Sequence, residues 1–113
     1  FNSNPAGCKA ALTTLGRMDG MKILVTPGMV ELGEKEEECN RTFGQQAAEV
    51  CDFVVLVGEK QSRPILQGLK DKGFADSKIY VTDDFLDGMQ KVYGISSEEK
   101  KIILLENDLP DNY

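Results

Sequence analysis

Four short runs rich in β-branched residues and leucine, "MKILVT", "DFVVLVG", "SKIYVT" and "KKIILLE", recur along the 113-residue chain with helix-like stretches between them. Runs of this kind lack the apolar–polar alternation of a half-solvated strand, so each reads as a strand covered on both faces. Strands separated by helical segments cannot form tight hairpins. They pair in parallel through right-handed crossovers. The expected architecture is therefore an α/β, Rossmann-like three-layer domain, with a mostly parallel sheet flanked by helices.

The helical stretches carry their own signals. Cys39, Phe43, Ala47 and Cys51 recur every four residues, after an acidic first turn of Glu36, Glu37 and Glu38 that suits the helix dipole. Ile65, Leu66 and Leu69 form a second stripe, with Pro64 in the first turn and Gly73 at the end. Phe85, Leu86, Met89 and Tyr93 form a third, with Asp83 as the expected cap. A further helix precedes the first strand: Asn4 is a natural N-cap, Pro5 fits the first helical position, and Cys8, Ala11, Leu12 and Leu15 make its stripe. No internal repeat, low-complexity segment or linker interrupts this order, and the length is that of one domain.

Composition removes several function classes. The net charge of −6 leaves no basic patch to neutralise phosphates along a nucleic acid. Three cysteines, Cys8, Cys39 and Cys51, show no CxxC spacing, and the chain has no histidine, which excludes a Cys/His metal site or a Cys–His catalytic pair within it. The cysteines read as small buried thiols in a reducing, cytoplasmic compartment. No signal peptide and no long apolar span is present, and Phe1 as first residue reads as the start of a piece of a longer chain.

In a sheet of this type ligands lie beyond the carboxyl ends of the strands. Those ends are Thr26-Pro27-Gly28, Gly58-Glu59-Lys60, Thr82-Asp83-Asp84 and Glu106-Asn107-Asp108. The first continues as "ILVTPGMVELGE", Ile23 to Glu34, longer and more apolar than a minimal connection from strand to helix. Two readings stand. Either Gly28 takes a positive φ and Leu32 packs under the next helix as scaffold, or the turn is a rigid lip against a substrate or another domain. No G-x-G-x-x-G follows the first strand and no G-x-x-x-x-G-K-[ST] occurs, so a complete phosphoryl-transfer site is absent. Glu59, Asp83, Asp84, Glu106 and Asp108 read mainly as caps and solvated loops, with a metal or general-base role as the minority reading; no catalytic or metal residue is assigned.

Two stretches carry a more specific signal. "FNSNPAGCKAAL", Phe1 to Leu12, resembles a Y-N-A-N-P-x-S-x-x-A-A-L segment of the Mur ligase family. "ILVTPGMVELGEKEEECNRTFGQQAAEVCDFVVLVG", Ile23 to Gly58, is similar to its V-L-G-D-M-x-E-L-G, then x-H-x-x-x-G-x-x-A and a valine-rich strand. The resemblance implies that residues 1–113 are the C-terminal, substrate-closing domain of a three-domain cytoplasmic ligase. Such an enzyme uses ATP and Mg2+ to join an amino acid or dipeptide, D-alanyl-D-alanine in the branch matched best, to a UDP-muramyl peptide through an acyl phosphate. It implies that the partners of this domain are those substrates and the N-terminal and central domains, the central one holding the phosphates and the metal. By position it puts Asn2 and Asn4 beside the nucleotide, and Thr26, Gly28, Met29 and Glu31 in the turn that faces the cleft.

The chain departs from the family pattern at three places. Pro27-Gly28 replaces Gly-Asp, Asn40 stands where histidine is common, and "LLENDLPDNY" replaces a K-G-S-R stretch. These changes bear on which group is added. They also motivate an alternative, a Rossmann-like binding or regulatory module of a homologue that no longer ligates.

Overall fold

The computed structural model describes residues 4–107. Four helices and four strands alternate: α1 (Pro5–Gly16), β1 (Met21–Thr26), α2 (Glu36–Val50), β2 (Phe53–Val57), α3 (Arg63–Asp71), β3 (Ile79–Thr82), α4 (Phe85–Tyr93) and β4 (Lys101–Leu105). Single turns of 3-10 helix at Gly33–Lys35 and Asp76–Lys78 precede α2 and β3. All pairings are parallel, in the order β3-β2-β1-β4, with Ile23 opposite both Phe53 and Ile103. The α/β, Rossmann-like expectation holds in element order and in strand direction.

Alternation along the two central strands builds a core on each face. Leu24, Val54 and Leu56 point to the layer of α1, α2 and α3, where they meet Leu12, Phe43, Ala47, Ile65 and Leu69. Ile23, Val25, Phe53, Val55 and Val57 point the other way, to Val92 of α4 and to half-buried Phe85 and Met89. Burying each such side chain contributes about 1.5–3 kcal/mol, which is why the two central strands are apolar throughout. Full burial on both faces does not extend to β3 and β4, which are only half-covered. The strand order puts both at the margins of the described sheet, and that order is a long-range property no single run encodes.

Two helical expectations need correction. On α2 the buried residues are Asn40, Phe43, Gly44 and Ala47, while Cys39 is only half-buried and Cys51 lies just past the helix. A strict four-residue step drifts around a helix of 3.6 residues per turn, so Cys39 sits at the margin of the core face, although it packs against the same core in which Phe43, Ala47 and Cys51 are buried. On α4 the cap is Asp84, whose carboxylate accepts from Leu86 N at 3.0 Å; the neighbouring Asp83 instead accepts from Glu59 N at 2.8 Å. Leu86 and Tyr93, seven residues apart on one side of α4, are exposed, and Gly88 and Val92 face the sheet.

Candidate functional site

Strand β1 leads through α2 to β2 on one side, while β4 arrives on the other side after α4. The sheet order therefore reverses between β1 and β4, the place where open α/β sheets bind ligands. Three segments meet there. Thr26, at the end of β1 and wholly buried, donates its hydroxyl to Glu106 O at 2.8 Å and accepts from Gly28 N at 3.0 Å and Asn107 Nδ2 at 3.2 Å. From the first turn of α1, Cys8 Sγ lies 3.8 Å from both Glu106 Oε1 and Asn107 Oδ1, a weak thiol donor to each. Glu106 is 8% exposed, so a strand-end carboxylate expected among caps and loops is buried here.

The turn after β1 is tightly built. Gly28 has φ +94°, the left-handed region expected for it, and an added Cβ would sit 3.1 Å from Asn40 Oδ1 and 3.1 Å from Ile65 Cδ1. Leu32 packs against the core under α2, also as expected. Glu31 is exposed and takes φ +63°, a conformation that costs a residue with a Cβ. It caps nothing: neither the 3-10 turn nor α2 has a side-chain cap. The exposed Glu31 and the half-buried Asn107 are the two non-glycine residues with positive φ among those described, and both stand at the carboxyl edge. Strained backbone of this sort gathers at functional sites because packing elsewhere must hold it.

Each expected site residue has a definite place, except Asn2, which lies outside the described residues. Asn4 is exposed and caps α1, its side-chain oxygen accepting from Gly7 N at 2.7 Å. Thr26, Gly28, Met29 and Glu31 belong to one turn, but their side chains differ in reach. Met29 is 1% exposed and packs in the core, so it shapes the turn from within and does not line a cleft with its side chain. Thr26 likewise spends its hydroxyl on the scaffold. Glu31 is the one of the four whose side chain is open to a partner.

Asn40, read from the sequence only as a departure from the family pattern, and Gln61, which the sequence did not mark, hold this turn. Asn40 is 1% exposed; its amide accepts from Met29 N at 2.8 Å and donates to Met29 O and Glu36 O, both at 2.9 Å. Gln61 Nε2 donates to Pro27 O at 3.0 Å. A buried amide on an otherwise apolar helix face was the available signal for Asn40. Nothing local marks Gln61. Among the described residues no group of three or more His, Cys, Asp or Glu side chains could hold a metal ion. None of their helices is long and apolar enough to cross a membrane.

Comparison with known proteins bears on this arrangement. Three solved structures share the fold: MurF ligase from Thermotoga maritima in complex with ADP, at TM-score 0.72, and two crystal structures of MurF from Acinetobacter baumannii, at 0.71 and 0.68. Each is 22% identical over 95% of this chain, and the chain spans only 23% of the length of each. No curated protein sequence matches. The family model described as "Mur ligase, glutamate ligase domain" matches residues 1–106, nearly the full length, and the chain accordingly belongs to the Mur ligase family.

Proposed function

We propose that this chain is the C-terminal, substrate-closing domain of a longer ATP-dependent ligase of peptidoglycan precursor synthesis, working in the cytoplasm. The reaction is amide-bond formation: ATP converts the carboxylate of a UDP-muramyl peptide to an acyl phosphate, which the amine of an amino acid or dipeptide then attacks. D-Alanyl-D-alanine is the added group we favour. The family match over residues 1–106 carries this reading, and the likeness to MurF structures, one of them an ADP complex, supports it.

The division of labour follows from what the described residues offer. The sequence carries no phosphate-binding glycine loop, and we assign the phosphates of ATP and Mg2+ to the central domain of the longer protein. Its role is to bring a shaped edge against the site: Asn2 and Asn4 toward the nucleotide, and the turn at Thr26, Gly28, Met29 and Glu31 toward the incoming amine. Glu31 is exposed and acidic, suited to an ammonium group or to the facing domain on closure.

A second reading has one observation in its favour. Glu106 stands buried in the segment that replaces the family's K-G-S-R, where a basic group would suit a substrate carboxylate. A binding module that has lost ligation would carry such changes freely.

The test is ligation by the longer protein that contains this domain, supplied with UDP-muramyl tripeptide, ATP, Mg2+ and D-alanyl-D-alanine or single amino acids. Mass spectrometry should find the extended product with stoichiometric ADP. No product with any amine, from a folded protein, would favour the module. Residues 1–113 alone should release no phosphate from ATP, and release above a heat-killed control would mean that the catalytic centre has been misplaced.

A further inference from the structure

Residues 27–31 take part in no backbone-to-backbone hydrogen bond among the described residues. Side chains meet their polar groups instead: Gln61 at Pro27 O, Thr26 at Gly28 N, and Asn40 at both the N–H and the carbonyl of Met29. The Asn40 amide is fully used, since its remaining hydrogen goes to Glu36 O in the first turn of α2. Because Asn40 is buried, losing any of these bonds leaves a dry polar group unsatisfied. Two bonds to one residue set the peptide planes on either side of Met29. Glu31 follows two residues later, exposed and at φ +63°, so the direction of its side chain depends on planes fixed from α2.

We propose that Asn40, seconded by Gln61, is a positioning residue that holds the backbone of residues 27–29 and thereby sets where the Glu31 carboxylate stands for the incoming amine. Neither amide touches substrate; each acts through the turn. The inference rests on the ligase reading given above.

The experiment uses the longer ligase containing this domain, with Asn40→Asp and Gln61→Ala. Asp keeps the acceptor for Met29 N and regains one donor only when its carboxyl is protonated. Gln61 is exposed, and its replacement leaves the core untouched. Amide exchange over residues 28–31 is read alongside KM for the amino acid or dipeptide and KM for ATP. Asn40→Asp should speed exchange in that segment and raise KM for the amine by about tenfold, the size of one ordinary hydrogen bond, with KM for ATP changed less than about twofold. Relative to the unmodified enzyme, part of that loss should return as pH falls from 8 to 6. Gln61→Ala should move the same constant in the same direction by about two- to threefold, and it carries the test alone if Asn40→Asp does not fold.

Faster exchange with an unchanged KM for the amine, or with both Michaelis constants shifted alike, would make the amides scaffold only and overturn the proposal while ligation itself stands. An unmodified enzyme that ligates no amine would overturn the ligase reading and the proposal with it.

Discussion

Where α2 meets α3, two backbones approach so closely that no side chain fits between them; along residues 27–31, the backbone is held at arm's length by side chains. At the helix seam, a Cβ on Gly44 would run into the Ile65 carbonyl, and one on Gly68 into the Arg41 carbonyl. Arg41 and Asp71 close the rim of that seam with a two-pronged ion pair at 2.7 and 2.8 Å, and Gln45 adds a bond to Asp71 at 2.9 Å. The seam leaves no room for a Cβ at Gly44 or Gly68, and its rim groups are spent on one another. The turn is also held by hydrogen bonds, yet it leaves a carboxylate exposed on strained backbone. The contrast separates contacts that hold the fold from contacts that aim a group.

Breaking the seam should cost most. Gly68→Ala forces α2 and α3 apart, and a loss of about 3 kcal/mol is expected, the upper end of ordinary overpacking, measured by denaturant melts of residues 1–113. Gly28→Ala strains the turn through its positive φ and its close neighbours Asn40 and Ile65, and should cost about 1–2 kcal/mol in the same melts. Asn4→Ala removes the cap of α1 and should cost about 1 kcal/mol.

The rim ion pair predicts a pH dependence. Hydrogen bonds from Arg41 and then Gln45 hold the Asp71 carboxyl at about 2, against an ordinary value of 3.8. Because the folded value is the lower one, the stability it contributes is present above about pH 4 and disappears as pH falls through about 2. Asp71→Asn should therefore melt slightly below the unmodified chain at pH 6, with a difference that shrinks between pH 4 and 2. A gap that persists at pH 2 would mean that the carboxylate's charge is not what Asp71 contributes.

The sheet and helices were legible because their signals are local: β-branched runs for the strands, and Asn4-Pro5, Pro64 and Gly73 for helix ends. The edge position of β3 and β4 was not, since it depends on which strands pair across the chain. Asp83 and Asp84 are adjacent and chemically alike, so only geometry tells the helix cap from the brace on Glu59. The turn was legible as a shaped object, from Gly28 and its apolar length. What holds it was not, because Asn40 and Gln61 reach backbone atoms 11 and 34 residues earlier in the chain, and backbone atoms carry no sequence mark. Met29 illustrates the same limit: its place in the turn was expected, but the direction of its side chain, into the core, follows from packing alone.

Whether the carboxyl edge works on substrate is decided at Glu31. Glycine adopts φ +63° without strain, so a residue kept only for shape should be replaceable there with benefit. In the longer protein that contains this domain, Glu31→Gly should melt at or slightly above the unmodified protein, by at most about 1 kcal/mol, and yet show a raised KM for the amino acid or dipeptide in the proposed ligation. A KM that stays unchanged while the protein gains stability would contradict the account and leave the turn as scaffold.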